Sequence, residues 1–208
     1  GHRSRHPPIE PTHVHVDLSR IRSALSPNFT PLRPGDAGQY AAVATVLRPG
    51  PTGAEVLLIR RAEHADDPWS GQMAFPGGRF APDDADLLAT ARRETREEVG
   101  LDLGRAARLL GPLDLLPAVA RGRRVGLTIA PFVFELADDL ELCPNHEVLE
   151  ALWAPLTDLA RGANRETVAY VHEGQELQLP GWNVNGRVVW GLTYRMLESL
   201  INRVREPR

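Results

Sequence analysis

Three glutamates stand close together in the stretch RETREEVGL, residues 93–101. On a helix that turns by 100° per residue, Glu94, Glu97 and Glu98 fall within about 100° of one another and share one face. Arg93 lies next to Glu97 on the same wheel. Carboxylates on one rigid face can bind Mg²⁺ or Mn²⁺, and these ions neutralise phosphate charge. The alternative is a solvated helix face, whose ion pairs contribute only about 0.3–0.5 kcal/mol each.

The residues around this stretch favour the metal interpretation. Upstream, the sequence FPGG supplies Gly77 and Gly78, whose tight turn lets the backbone approach a ligand closely and offers a carbonyl oxygen. Asp83 and Asp84 at the start of the predicted helix, and Gly100 at its end, are typical of helix boundaries. We therefore predict a carboxylate-bearing helix that faces a phosphate pocket.

The rest of the chain predicts strands and helices that interleave without strict alternation. YAAVATVLR and AEVLLIRRA are predicted as two strands joined by a turn, and SRIRSALS as a short helix. Further strands, a short helix and a hairpin are predicted within residues 108–190. GLTYRMLESLINRVRE is predicted as a terminal helix with an apolar stripe. This order indicates a mixed sheet with helices packed on its faces.

The composition of the 208 residues is that of a globular protein, with 42% hydrophobic and 25% charged residues. A net charge of −3 gives no general attraction to nucleic acid or to an anionic membrane. No apolar run approaches the ~18 residues of a membrane span. The single cysteine, Cys143, excludes an intramolecular disulfide and a cysteine-built zinc site, and is consistent with a cytoplasmic protein. Four histidines in the first 15 residues are interpreted as part of a proline-spaced tail.

The glycine turn and the helix together resemble the Nudix box. That pattern is Gly, five residues, Glu, seven residues, then Arg-Glu-apolar-any-Glu-Glu-any-Gly-apolar. Gly78 matches the opening glycine, and RETREEVGL matches the end except that Thr95 stands at the apolar position. The middle glutamate falls on Asp84, and eight residues separate Asp84 from Arg93. The extra residue precedes the glutamate face, so it should leave that face intact, but it leaves the role of Asp84 open.

Similarity to the Nudix family implies an α+β fold, an α/β/α sandwich around a central mixed β-sheet. It implies a site for Mg²⁺ or Mn²⁺ built from three carboxylates and one carbonyl, those of Glu94, Glu97, Glu98 and Gly78. Arg93 would orient the glutamates. The general base would be Glu94 or a glutamate of a later loop, for which Glu147 is the candidate; Glu147 could equally be a surface residue. We predict a tail with a short helix over residues 1–38 and one Nudix hydrolase domain over residues 39–208.

Segments outside the box resemble the coenzyme A diphosphatase branch of the family. They are AFPGGR, NHEVLEALWAPL and VVWGLTYRML, together with the extra residue in the box. This resemblance implies cleavage of CoA or acyl-CoA to 3′,5′-ADP and (acyl-)4′-phosphopantetheine. The partner would be a small nucleoside diphosphate derivative, bound by a monomer or a homodimer.

The signature of that branch is incomplete here. Ile59 replaces a threonine, Asp66 stands at the position of a second arginine, and the spacing to Gly71 is one residue longer. Replacement charge could come from three places, namely Arg61 as first choice, Arg60, or RGRR at residues 121–124. Phe75 and Trp69 could stack a base, although both are more often packing residues.

Two other functions remain open at this stage. One is hydrolysis of nucleoside triphosphates or dinucleotides on the same scaffold. The other is a degenerate Nudix module that binds ligand without turnover, against which the intact glutamates argue. Metal-dependent release of phosphate products separates the module from either enzyme.

Overall fold

The computed structural model describes residues 14–35, 37–120 and 123–205. Its helices are α1 (Leu18–Ala24), α2 (Leu87–Val99), α3 (Leu103–Ala106), α4 (Leu156–Arg161) and α5 (Gly191–Arg205). Its strands are β1 (Tyr40–Gly50), β2 (Gly53–Arg61), β3 (Met73–Ala74), β4 (Gly77–Arg79), β5 (Ala107–Pro112), β6 (Leu116–Ala120), β7 (Arg123–Leu136), β8 (Val148–Pro155), β9 (Arg165–His172), β10 (Gln175–Val184) and β11 (Arg187–Trp190). None of the described helices is long and apolar enough to cross a membrane.

The central sheet is mixed, as the sequence predicts. Its main order is β3-β2-β1-β7-β5, with β1 and β7 parallel and the other neighbours antiparallel. Strand β8 pairs with β2, and β6 pairs with β7. Parallel strands in the centre of a sheet are buried on both faces, which accounts for the nearly continuous apolar run in β1.

The strands β1 and β2 separate at the end of the sheet where the candidate site forms. They pair directly only through residues 47–50 of β1. Further along, residues 73–79 cross between them, because β3 pairs with β2 and β4 pairs with residues 41–43 of β1. The predicted tight turn at Gly77 and Gly78 is wrong, because both glycines lie in strand β4, and the FPGG segment crosses the seam between the two strands.

Two hydrophobic cores lie on opposite faces of this sheet. Alternate side chains of β1 enter different cores: Leu47 packs in the core that includes α1, α4 and α5, whereas Val46 packs in the core that includes α2 and α3. This arrangement confirms the α/β/α sandwich. The predicted stripe of α5 is also confirmed, since Met196, Leu200 and Val204 are buried in the first core.

The start of the glutamate-bearing helix differs from the prediction. Asp86, rather than Asp83 or Asp84, is the N-cap of α2, and its Oδ1 accepts the backbone N–H of Ala89 at 2.8 Å. Asp84 is not available for capping because it pairs with another residue, described below. The helix ends at Gly100 as predicted, where a φ of 75° places the backbone in the left-handed region that glycine tolerates.

A second sheet of three strands has the order β11-β10-β9. The turn between β9 and β10 consists of Glu173 and Gly174, whose φ angles are 49° and 77°. Two consecutive positive φ angles are typical of the tight two-residue hairpin turn that matches strand twist. Near the body of the protein, Trp182, Val184 and Val189 join the first core.

Candidate functional site

Helix α2 meets the seam of the central sheet through Glu98. This side chain is 1% exposed, and its Oε1 accepts the backbone N–H of Gly77 at 2.8 Å. The contact holds a carboxylate against the start of strand β4. Thr95, at the apolar position of the box pattern, is also buried, and its hydroxyl donates to the Ala91 carbonyl at 2.7 Å. A threonine fits this position because the preceding helical turn satisfies its hydroxyl.

Glu147 is held near Glu98 by backbone hydrogen bonds. The N–H of Asn145 donates to the Glu98 carbonyl at 2.9 Å, which joins the loop to the end of α2. The N–H of Ala62 donates to the Glu147 carbonyl at 2.9 Å, which joins the loop to the end of β2. The Glu147 side chain is exposed, but these two contacts place it at the edge of the site.

The carboxylates of the site repel one another. Burial raises the pKa of Glu98 to about 8, Gly77 opposes this rise, and the charges of Glu94 and Glu147 add to it. Burial also raises the pKa of Glu94; Arg93 opposes that rise, and the charges of Glu97 and Glu147 add to it. Such a group of acids favours the binding of a cation.

These oxygens fit the preferences of a divalent ion. Mg²⁺ and Mn²⁺ take carboxylate and carbonyl oxygen ligands. In the described part of the chain, no three acidic, histidine or cysteine side chains already converge on one point. Glu94 accepts a hydrogen bond from Arg93 and Glu98 accepts one from Gly77, so both side chains have partners of their own in this geometry.

Arg93 holds the glutamate face together. Its guanidinium donates from Nε and Nη2 to the two carboxylate oxygens of Asp84, at 2.8 and 3.0 Å. Its Nη1 donates to Glu94 at 2.9 Å and to Glu97 at 3.4 Å. A planar fork that spans several carboxylates fixes their orientation in a way that a lysine cannot. The orienting role implied by the resemblance is consistent with this geometry.

Asp84 is a residue whose role sequence reasoning left open. Its side chain is 6% exposed and also accepts the N–H of Ala81 at 3.0 Å and the hydroxyl of Thr90 at 2.9 Å. Burial alone would raise the pKa of Asp84, but the hydrogen bonds from Arg93, Ala81 and Thr90 outweigh it and lower the pKa. The sequence indicated this pairing only through the acidic residue at the middle position of the box, upstream of Arg93.

A cavity of about 700 Å³ opens next to the glutamate helix. Strand β4 with Gly77 and Gly78 forms one wall, and Arg61 and Glu147 line its polar side. Its apolar side is lined by strands of the central sheet and by α5, through Val43, Met73, Ile129, Leu192 and Met196. The site therefore combines an acidic patch with a largely apolar compartment.

A NUDIX domain model matches residues 39–173 of the chain, which is more than half of its length. The chain belongs to the Nudix family. It is 32% identical over 172 residues to an uncharacterized Nudix hydrolase, NudL, of Yersinia enterocolitica, covering 78% of each chain. It is 30% identical over 190 residues to NudL of Photorhabdus laumondii, covering 90% of this chain and 95% of that one. It is also similar to the structure of a C. elegans Ap4A hydrolase binary complex, with 20% identity, a TM-score of 0.49, and coverage of 59% and 84%.

The protein is thus a Nudix hydrolase, and the box lies where the pattern predicts it. Residues 78–101 place Gly78, Arg93 and the three glutamates together at the end of the central sheet. Of these box residues, Gly78 lines the cavity, whereas Arg93 and the three glutamates do not; of the predicted site residues outside the box, Arg61, Glu147 and Phe75 line it.

Two of the proposed substrate-binding residues of this Nudix hydrolase lie differently from the prediction. Arg60 is not among the residues lining the cavity; its Nε donates to the Gly71 carbonyl at 3.3 Å. The register of β2 with β8 shifts between Arg60 and Arg61, so the cavity lining, and not strict strand alternation, distinguishes the two side chains. Phe75 borders the cavity but is 2% exposed and packs in the first core, which leaves little of its ring for stacking.

Arg61 is already paired. Its Nε and Nη2 both donate to Asp67 Oδ2, at 2.9 and 2.6 Å. The other oxygen of Asp67 accepts the backbone N–H of Trp69 at 3.0 Å, and the Trp69 indole donates to the Val119 carbonyl at 3.3 Å. The loop that departs from the branch signature is thus tied to the end of β2. Residues 121–122 of the RGRR segment lie outside the described residues, and its two remaining arginines are exposed.

The space above Glu94 depends on Gly78. A Cβ atom at residue 78 would lie 2.5 Å from the Glu94 carboxyl carbon, closer than real Cβ contacts. We expect Gly78→Ala to displace this carboxylate and lower turnover roughly tenfold with little loss of stability, because a flexible side chain can move aside. Gly35→Ala is the control, since nothing lies within 4 Å of that Cβ position. Steady-state kinetics and thermal melts of both variants test this, and equal kcat/KM in the two would contradict it.

Proposed function

We propose that the protein is a divalent-metal-dependent diphosphatase that cleaves nucleoside-diphosphate-linked substrates, with CoA or acyl-CoA as its substrate. The observation that carries the reaction class is the buried Glu98 carboxylate, which accepts the N–H of Gly77, lies near further carboxylates, and stands behind the strand that forms one wall of the cavity. Mg²⁺ or Mn²⁺ would be held by Glu94, Glu97, Glu98 and the Gly78 carbonyl. When bound, it would neutralise diphosphate charge and lower the pKa of a coordinated water.

Other residues of the chain orient the metal ligands and accept the proton of the attacking water. Arg93 restrains Glu94 and Glu97. Glu147 is the better candidate for the general base, because Glu94 Oε1 already accepts a hydrogen bond from Arg93, whereas the Glu147 side chain is exposed at the cavity. A water oxygen would attack one phosphorus, its proton would pass to Glu147, and the P–O bond to the bridging oxygen would break. The products from CoA would be 3′,5′-ADP and 4′-phosphopantetheine.

The choice of CoA rests on two observations. Segments on both sides of the box resemble the CoA diphosphatase branch. The cavity is apolar along α5, which suits a pantetheine arm or an acyl group. The 3′-phosphate of CoA needs a cation, and Arg61 is the arginine at the cavity on β2, next to the loop of the branch signature.

The runner-up is hydrolysis of a nucleoside triphosphate or dinucleotide. Asp67 neutralises part of the charge of Arg61, and Asp66 adds a further acid to the cavity where the branch signature has an arginine. Both features reduce the attraction for a 3′-phosphate and favour substrates that lack it.

Kinetics on three substrates separate these functions. We expect kcat/KM for CoA to exceed that for 3′-dephospho-CoA by tenfold or more in the wild type. Arg61→Ala should lose this preference, because it removes the fork that binds the 3′-phosphate. Arg60→Ala is the matched control and should keep the preference, since Arg60 does not line the cavity. A higher kcat/KM for dGTP than for CoA would assign the protein to the runner-up class, and no metal-dependent product from any substrate would indicate a binding module.

A further inference from the structure

The outer part of the β9–β10 hairpin presents a strand edge without a partner among the described strands. Strand β9 pairs with β10 along all eight of its residues, and no other strand within residues 14–35, 37–120 and 123–205 pairs with it. Its sequence, RETVAYVH, contains no proline, and its two charged residues, Arg165 and Glu166, lie at the start of the strand, away from the exposed Val171. Such an edge is a template for another strand.

The hairpin turn determines which backbone groups face this edge. His172 and Gln175 close the two-residue turn, and the closing pair of such a turn exchanges both of its backbone hydrogen bonds. Bonded and non-bonded pairs alternate, so the even-numbered residues of β9 bond to β10. The N–H and C=O groups of the odd-numbered residues, which include Ala169 and Val171, therefore point to the open edge.

We propose that a second copy of this chain pairs with β9 in antiparallel orientation about a two-fold axis at Ala169. The two three-stranded sheets would then form one continuous six-stranded sheet across a homodimer. Two-fold pairing is isologous, so each outward-pointing residue meets an outward-pointing residue of the other copy. The inference is independent of the proposed substrate.

Charge selects this register. A two-fold axis at Ala169 brings Arg165 next to Glu173, the first residue of the hairpin turn, of the second copy, and does so twice by symmetry. Opposite charges brought together across an interface attract each other. Axes at the neighbouring residues Val168 or Tyr170 bring no opposite charges face to face.

The apolar residues of the hairpin support the same register. Val168 and Tyr170 lie on one face of β9, where the Tyr170 ring packs against Trp190 of β11 in a tilted arrangement with the ring centroids 5.7 Å apart. Neither Val168 nor Tyr170 belongs to either core as described. With the axis at Ala169, each Val168 faces Tyr170 of the other copy, which is a favourable pair of a β-branched and an aromatic residue. In the same register, Val171, which is 65% exposed, faces Thr167 of the other copy.

Sedimentation equilibrium over a range of concentrations tests the interface. We expect the wild type to dimerise, and Arg165→Glu to weaken the dimer at least tenfold because it sets two pairs of like charges face to face. The charge swap Arg165→Glu with Glu173→Arg should restore the dissociation constant to within about threefold. Glu176→Arg, on β10 and away from the edge, is the control that should change nothing. Hydrolysis should be unaffected in all of them, since none of these residues lines the cavity.

Disulfide trapping tests the register in a Cys143→Ser background. Ala169→Cys should cross-link two copies on mild oxidation, because a directly opposed bonded pair has Cα atoms about 5.5 Å apart, within disulfide range. Val171→Cys should not, since the two cysteines would be offset by four residues, or more than ~13 Å. A wild type that is monomeric at every concentration, a dimer that Arg165→Glu leaves intact, or preferential cross-linking at residue 171 would each overturn the proposal.

Discussion

Glu98→Gln is expected to lower turnover at least ~100-fold and, at the same time, to raise the stability of the metal-free protein. The loss of turnover follows from removing a charged ligand from the site that must offset developing phosphate charge. The gain in stability follows from burial, because the Glu98 carboxylate is almost fully enclosed and glutamine is a neutral group of the same shape.

The stability change depends on pH in a definite direction. An unfolded glutamate loses its proton near its ordinary pKa of 4.5, whereas folded Glu98 keeps its proton until about pH 8. The folded state therefore loses stability relative to the unfolded state as pH rises from 4.5 to 8. Glutamine removes this slope. Allowing for water entry into the metal-free site, we expect a gain of about 2 kcal/mol at pH 8, or roughly 4–8 °C in Tm.

Thermal melts in EDTA between pH 5 and pH 8.5, with kinetics in Mg²⁺ or Mn²⁺, measure both effects. Glu97→Gln is the matched control: it should also lose turnover but show no stability gain, because the Glu97 side chain is 55% exposed. Wild-type activity that persists in EDTA, or undiminished activity of Glu98→Gln, would end the metal proposal. A Tm that does not rise would refute the burial explanation alone.

Arg93→Ala is expected to lower turnover ~10–100-fold without any direct contact between Arg93 and substrate. The variant loses the fork that fixes Glu94 and Glu97, so the metal ligands lose their orientation. It also leaves Asp84 buried without its cation. We expect the free energy of unfolding to fall by about 2–3 kcal/mol, less than for a fully buried pair because the arginine is partly exposed.

Asp84→Asn should show part of the loss of turnover and part of the loss of stability that are expected for Arg93→Ala. Asp83→Asn, at an exposed neighbouring position, should change neither turnover nor stability. The low pKa of Asp84 means that its contribution is present above its unfolded pKa of 3.8 and is lost as pH falls below that value. The stability gap between wild type and Asp84→Asn should therefore narrow in acid. We would measure metal affinity by calorimetry, kcat by steady-state kinetics, and stability by thermal melts in acid. An unchanged metal affinity together with an unchanged kcat in Arg93→Ala would contradict the orienting role of Arg93.

Local sequence patterns were sufficient to predict the helices α2 and α5 and the shared face of the three glutamates. The spacing within α2 and the stripe of α5 are properties of one helix each, so the sequence alone reveals them. Asp84 was harder, because its partnership with Arg93 depends on how the loop before α2 folds back. Strand alternation could not decide between Arg60 and Arg61, because the register of β2 with β8 shifts between these two residues.

The same limit applies to Phe75 and to the Arg61–Asp67 pair. Which side of the seam Phe75 enters depends on how residues 73–79 cross from β2 to β1. The partner of Arg61 depends on a loop whose length departs from the branch signature. Both are long-range or loop properties that no periodicity encodes.

The Asp84–Arg93 pair explains how the box of this chain holds one residue more than the pattern. The pair joins the middle of the β4–α2 loop to the helix. Separately, the backbone N–H of Leu87 donates to the Leu32 carbonyl at 2.9 Å and fixes where the helix begins. An added residue can then be absorbed at the exposed Pro82 and Asp83, while the glutamates keep their places. The glutamate face of this chain therefore does not depend on the exact number of residues in the loop, and a search that requires a fixed spacing across the box would miss this chain.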